Sequence, residues 1–108
     1  MTCIFCQIAV RRLPADILYE DDDLIVFKEV NPEAPIHLLI VSRVHIDTLN
    51  SLDEQSVGLM AKMVLVAKRI AEDLKTQSGY RLVINCGREA GQVVLHLHMH
   101  FMGGWRKK

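Results

Sequence analysis

The chain has 108 residues, which fits a single domain spanning residues 1–108. Half of the residues are hydrophobic, which argues against intrinsic disorder. Thirteen Lys and Arg residues balance thirteen Asp and Glu residues, so no broad basic surface for duplex nucleic acid is expected. A small nucleotide is not excluded, because it needs one pocket rather than a charged surface.

The N-terminus, Met-Thr-Cys-Ile-Phe-Cys, has no basic region followed by an apolar run and so does not look like a signal peptide. No apolar stretch approaches the roughly 20 residues that span a bilayer. The three cysteines are Cys3, Cys6 and Cys86, an odd number without a secretion signal. We therefore expect a cytoplasmic protein with reduced thiols or a metal site, and neither a membrane partner nor a disulfide framework.

The first half of the chain indicates a short helix followed by strands. Residues 3–10 are apolar and allow a short helix. Two apolar runs, Ile17–Glu20 and Leu24–Lys28, flank Asp21-Asp22-Asp23 and predict a hairpin with an acidic turn. The almost uniformly apolar segment His37–Ser42 predicts a buried strand.

A long helix is predicted over residues 52–75. Ser51-Leu-Asp-Glu54 has the pattern of a capping box, and Ser78-Gly79 supplies a stop signal. Apolar residues follow the helical period, and Leu59, Leu65 and Val66 widen the apolar stripe. The wide stripe fits either core burial or contact with a partner subunit.

The last part of the chain predicts two more strands, Tyr80–Asn85 and Val93–Met102, separated by the Gly-bounded loop 87–91. Five candidate strands around one long helix and one short helix indicate an α+β domain with a mostly antiparallel sheet.

The run His-Leu-His-Met-His carries the most distinctive chemistry. Residues two apart share a face of a strand, so His96, His98 and His100 would project to one side. The apolar residues between them would face the long helix. Three imidazoles on one face fit a three-His zinc site, or a neutral histidine nucleophile with neighbours that stabilise phosphate charge. The spacing alone does not choose between the two.

His-Leu-His-Met-His-Phe-Met resembles the signature of the histidine-triad family. Further segments, in the expected order, resemble its Hint branch, so that the resemblance covers nearly the whole chain: Cys3-Ile-Phe-Cys-Gln-Ile, Asn31-Pro-Glu-Ala-Pro-Ile-His37, Val44-His45-Ile, Asn85-Cys-Gly87 and Gly91-Gln92.

The resemblance implies a homodimer with a five-stranded antiparallel sheet in each protomer. It implies binding of purine nucleotides of the AMP or GMP type and hydrolysis of nucleoside 5′-phosphoramidates or related phosphoanhydrides, without a catalytic metal. His98 would attack the α-phosphorus and become transiently nucleotidylated. His100 would contact the phosphate or leaving group, the backbone of His96 would orient His98, and His37 would support the nucleophile from behind.

The resemblance also implies the nucleotide contacts. Asn85 would contact phosphate, Gln92 belongs to the same binding set, and Glu29 stands where relatives carry an Asp that binds the ribose. Val93 stands where relatives often carry a Ser that assists the leaving group. The C-terminal segment after the last strand is short, Gly104-Trp-Arg-Lys-Lys108, where relatives have a longer tail that influences substrate choice. Six further residues match the nucleobase pocket, although on sequence alone each also fits an ordinary core: Ile4, Phe5, Ile8, Phe27, Val30 and Leu39.

A second set of residues implies a structural zinc. Bacterial relatives can hold the metal with residues that correspond here to Cys3, Cys6, His45 and His96. Two thiolates and two imidazoles form a closed tetrahedral site. Cys86 is expected to be a packed thiol.

Other functions remain open from the sequence. They are a dinucleoside polyphosphate hydrolase, a nucleotide- or protein-binding dimer with vestigial hydrolysis, and a zinc protein without a nucleotide role. Nucleotidyl transfer is disfavoured, because that branch has Gln where this chain has His100.

Overall fold

The structure, a computed structural model, describes residues 3–106. Two 3-10 turns, Leu49–Ser51 and Arg88–Ala90, accompany the main elements. In chain order the helices and strands are α1 (Ile4–Ala9), β1 (Ile17–Glu20), β2 (Leu24–Lys28), β3 (Ile36–Ser42), α2 (Gly58–Asp73), β4 (Tyr80–Val83) and β5 (His98–Gly103).

The five strands form one sheet in the order β1-β2-β3-β5-β4, and all neighbours run antiparallel. This confirms the predicted α+β class and antiparallel sheet. β5 lies between β3 and β4. Its residues His98 and His100 lie opposite Val41 and Leu39 of β3. His100 also lies opposite Val83 of β4, so strands on both sides hold its backbone, whereas His98 at the start of β5 pairs with β3 alone.

The two faces of the sheet pack against different helices. Side chains alternate across the strands, so each strand contributes to both faces. One face packs against α2, and this cluster contains Leu24, Val26, Leu38, Ile40, Met63, Val66, Ala67, Ile70, Ala71, Leu97, Met99 and Phe101. The other face packs against α1, and this cluster contains Phe5, Ile8, Ile25, Phe27, Leu39 and Val41.

The predicted start of the long helix is wrong. α2 begins at Gly58 rather than at residue 52, and Ser51 ends a 3-10 turn instead of capping α2. The Asp53 carboxylate accepts hydrogen bonds from the backbone N–H groups of Gln55 and Ser56 at 3.0 Å. This local capping holds residues 53–57 in a turn, because an Asp side chain competes with the regular helix for backbone donors.

The predicted start of the last strand is also wrong. β5 begins at His98, and residues 91–97 form turns and bends. The backbone N–H of Leu97 donates to the carbonyl of Ile46 at 2.6 Å rather than to a sheet neighbour. Val93, which the apolar pattern placed in the strand, is 83% exposed.

Among the described residues, no helix combines the length and apolar character needed to cross a bilayer.

Candidate active site

A cavity of about 630 Å³ opens on the α1 face of the sheet. α1, β2 and β3 supply an apolar wall, and β5 supplies His98 and His100. All six apolar residues expected at the nucleobase line this cavity: Ile4, Phe5, Ile8, Phe27, Val30 and Leu39. The cavity thus combines an apolar region with a pair of imidazoles, the usual composition of a small-molecule site.

His98 is held in one orientation by the chain just before it. Its Nδ1 lies 2.7 Å from the carbonyl oxygen of His96. A carbonyl only accepts, so Nδ1 carries the proton and donates, which leaves the lone pair on Nε2. Burial lowers the pKa of His98 below its ordinary value. The imidazole is therefore a neutral base with one free nitrogen.

His100 has the opposite arrangement of protons. The backbone N–H of Glu33 donates to Nδ1 of His37 at 3.0 Å, so the His37 proton is on Nε2. That Nε2–H lies 2.9 Å from Nδ1 of His100 and donates to it. The proton of neutral His100 is then on Nε2. Burial and the neighbouring imidazoles of His98 and His37 lower the pKa of His100.

The two imidazoles consequently have complementary chemistry: His98 offers a lone pair and His100 offers a donor. His37, expected behind the nucleophile, hydrogen-bonds to His100, while Nδ1–H of His98 donates to the His96 carbonyl. Phe5 lies with its ring edge-on to His98 at a centroid distance of 5.0 Å.

Of the remaining residues expected to contact the nucleotide, three line the cavity and one does not. The three are Glu29, Asn85 and Val93. The one that does not is Gln92; it is 2% exposed, and its carboxamide accepts from Gly87 N–H at 2.8 Å and donates to the Asp47 carbonyl at 2.8 Å. Gln92 therefore braces the loop that carries Asn85 and Val93. The cavity is also lined by residues that the sequence did not single out: Leu13, Pro14, Lys28, Asn31, Glu33, Gly91 and Val94.

Beside the cavity, Cys3, Cys6, His45 and His96 form a compact cluster. Their ligating atoms all lie within 4.8 Å of one another. Cys3 Sγ lies 3.2 Å from Nδ1 of His96, and Cys6 Sγ lies 3.2 Å from Nδ1 of His45. Burial, reinforced by the Cys3 sulfur, raises the pKa of Cys6 to about 11, so a thiolate there needs a cation to compensate it.

The outer nitrogens of both cluster histidines are already engaged. Nε2 of His45 lies 2.6 Å from Oδ1 of Asp47, and Nε2 of His96 lies 2.6 Å from the carbonyl oxygen of Ser42. These partners place the proton on Nε2 and direct the Nδ1 lone pair toward the sulfurs. The cluster therefore fits Zn²⁺, which favours four ligands of this kind with outer partners that orient the imidazoles.

Comparisons with known proteins agree with this geometry. A family model described as the HIT domain matches residues 10–107. A purine nucleoside phosphoramidase of Escherichia coli K12 is 40% identical over 102 residues, which cover 94% of this chain and 86% of the relative. A HIT family hydrolase from Legionella pneumophila has a similar structure, with a TM-score of 0.94 and 37% identity over 99% of this chain and 96% of its own.

A second similar structure bears on the Cys/His cluster. It is a Zn-bound histidine triad family protein from Mycobacterium smegmatis, with a TM-score of 0.85 and 28% identity. The match covers all of this chain and 78% of the other.

Proposed function

Because the chain belongs to the HIT domain family, we propose that it is a histidine-triad hydrolase that cleaves purine nucleoside 5′-phosphoramidates, or related nucleotidyl phosphoanhydrides, at His98. The observation that carries the proposal is the free Nε2 of His98 beside the Nε2–H of His100 in one cavity. A nucleophile needs a lone pair, and the developing phosphate charge needs a donor.

The reaction follows from these proton positions. Nε2 of His98 attacks the α-phosphorus, a P–N bond forms to the imidazole, and the bond from phosphorus to the leaving amine or phosphate breaks. The Nε2–H of His100 donates a hydrogen bond to a phosphate oxygen, and the leaving group takes its proton from solvent. Water then attacks the nucleotidyl-histidine, returns a proton to solvent, and releases the nucleoside monophosphate and neutral His98.

The rest of the cavity orients the substrate in this proposal. The purine packs against the apolar wall that includes Phe5 and Phe27, and the Glu29 carboxylate accepts hydrogen bonds from the ribose hydroxyls. Asn85 contacts the phosphate. Val93 has no hydroxyl, so it supplies no proton to the leaving group.

The first test is hydrolysis of adenosine 5′-phosphoramidate by wild type and by His98→Ala. We expect His98→Ala to abolish turnover while AMP binding and the circular dichroism spectrum stay close to wild type. Full activity in His98→Ala would show that His98 is not the nucleophile. A wild type that binds AMP without hydrolysing it would favour the binding dimer, and preference for a dinucleoside polyphosphate would favour that substrate class.

We also propose that Cys3, Cys6, His45 and His96 hold a structural zinc, supported by the inward Nδ1 atoms and the Zn-bound relative. Metal analysis should find about one zinc per chain. Cys3→Ala/Cys6→Ala should lose it, whereas the control Cys86→Ala should retain it. No zinc in the wild type would end this proposal. Thiolate ligands persist in a reducing compartment, which supports a cytoplasmic location.

A homodimer is the proposed assembly. Val64 and Leu65 of α2 are 48% and 65% exposed, and β4 lies at an edge of the sheet. Exposed apolar side chains and an unpaired sheet edge are each typical of a surface that a second copy covers.

A further inference from the structure

The short helix α1 belongs to both the metal cluster and the cavity. Cys3, which caps the helix, and Cys6 contribute sulfurs to the cluster. The same segment also lines the cavity, through Ile4, Phe5 and Ile8. The two sites therefore share one helix, and a shift of its first turn changes both.

His96 makes a second connection between the sites. Its side chain faces the sulfurs through Nδ1, while its backbone carbonyl accepts the hydrogen bond from Nδ1 of His98. Phe5 completes the link, because its ring contacts His96 at 5.8 Å and His98 at 5.0 Å between centroids. Both paths connect the cluster to the cavity through direct contact.

The N-terminal turn of α1 has little else to hold it. An isolated helix of six residues is unstable in water. Its C-terminal end is tied down by Arg43, whose Nη1 donates to the carbonyl of Ala9 at 3.1 Å. The Cys3 and Cys6 end instead depends on the cluster and on the packing of Phe5 and Ile8.

We propose that metal binding at this cluster and nucleotide binding in the cavity favour each other, with Phe5 and His96 as the positioning residues that transmit the effect. The inference rests on the proposed nucleotide and zinc sites and adds an energetic link between them. Zinc would hold α1 and His96 where the cavity needs them. By thermodynamic linkage, a bound nucleotide must then raise the zinc affinity by the same factor.

The test measures both affinities on the full chain. AMP binding is titrated calorimetrically to zinc-loaded and zinc-depleted protein, and zinc binding is measured by chelator competition with and without saturating AMP. We expect each ligand to tighten the other at least about fivefold, by equal factors. Equal AMP affinity with and without zinc would overturn the link alone. Absence of AMP binding, or of zinc binding, would overturn the corresponding site and the link with it.

Asp47→Asn provides a test that does not require stripping the metal. Asp47 is exposed and touches the cluster only through Nε2 of His45. The Asn variant keeps an acceptor there but removes the carboxylate charge, and mutation of such an outer partner typically weakens metal binding about 10–100-fold. AMP affinity should fall at limiting zinc and recover at saturating zinc. The control Glu72→Gln, on α2 and paired with Lys68, should behave as wild type at both concentrations. If the AMP affinity of Asp47→Asn were the same at limiting and at saturating zinc, the proposal would be contradicted.

Phe5→Leu tests the path through Phe5. Because Phe5 also lines the cavity, the readout is the ratio of the AMP affinities with and without zinc rather than the AMP affinity itself. All four zinc ligands remain, so zinc should still bind, but the mutual tightening should shrink toward a factor of one. An undiminished factor in Phe5→Leu would remove Phe5 from the path.

Discussion

Three histidines of one short run have different chemistry because their Nδ1 atoms face different partners. Nδ1 of His98 faces a carbonyl oxygen, Nδ1 of His100 faces the Nε2–H of His37, and Nδ1 of His96 faces two sulfurs. The partner decides which nitrogen carries the proton. Identical residue types thus become a nucleophile, a donor and a metal ligand in the proposed function.

The proton arrangement at His100 predicts the pH dependence of hydrolysis. Protonation would put a hydrogen on Nδ1 of His100 opposite the Nε2–H of His37 and break that hydrogen bond. Because burial, together with His98 and His37, lowers the pKa of His100, the neutral form persists below the ordinary imidazole pKa of about 6.5. We therefore expect the acidic fall of kcat/KM to lie below pH 6.5.

The measurement is a pH profile of kcat/KM with adenosine 5′-phosphoramidate, with the bound zinc determined at each pH as a control. A fall centred at or above pH 6.5 while the zinc is retained would contradict the lowered pKa of His100.

From the sequence, the role of a residue in the site could be predicted only where that residue belonged to a recognisable motif. The apolar residues around Phe5 and Phe27 were expected at the cavity, and they line it. Gln92 was expected at the nucleotide, yet its carboxamide is buried in the loop. In a segment without regular structure, no periodicity indicates which way a side chain points.

At the scale of elements, the turn between β1 and β2 depends on Asp21. Its carboxylate accepts hydrogen bonds from the Tyr19 hydroxyl and from the backbone N–H groups of Asp23 and Leu24, and it pairs with Lys62 of α2. Burial opposes its ionisation, but these hydrogen bonds together lower its pKa to about 2. The acidic turn is thus anchored to the long helix.

Asp21→Ala should lower the free energy of unfolding by about 1–2 kcal/mol at pH 7, because two backbone donors and Tyr19 lose their acceptor. A carboxyl with a depressed pKa stabilises the fold above its unfolded pKa of about 3.9, so the difference from wild type should shrink as the pH falls toward 2. Urea unfolding at several pH values measures it. Asp22→Ala, in the exposed neighbour, is the control, and an equal loss in both variants would refute the role of Asp21.

Element boundaries were the least predictable part of the fold. The apolar period correctly indicated α2, but Asp53 and Ser56 bond locally and delay its start to Gly58. Val93 and Val94 have the composition of a strand, but the chain bends there. In both places, hydrogen bonds made by side chains or by the loop determine where the element begins. The apolar pattern does not record these bonds.

At the scale of the whole molecule, the exposed side of α2 predicts association. Met63, Val66 and Ala67 are buried against the sheet, so the helical period turns Val64 and Leu65 outward. We expect Leu65→Glu to convert a dimer into a monomer, because a buried unpaired charge at an interface is costly. Light scattering after size-exclusion chromatography gives the mass.

The control is Val10→Glu, which places the same charge at another exposed apolar residue, 63% exposed next to α1. It should remain a dimer. A wild type with the mass of one chain would contradict the proposed assembly.

The class of the molecule was predictable from the sequence, but the order of its strands was not. Five apolar runs around a long helical pattern indicated an antiparallel α+β domain. Nothing in the residues of β5 showed that it would lie between β3 and β4, because strand pairing depends on long-range contacts that a local pattern does not record.

The interior position of β5 has a consequence for folding on the ribosome. β5 is the last of the described strands to be synthesised, so β3 emerges with one edge unpaired and β4 emerges before the strand that it pairs with. Unpaired strand edges in a nascent chain favour aggregation and the binding of chaperones. His98 and His100 lie in the segment that joins β3 to β4, so translation must pass β5 before the proposed reaction can take place.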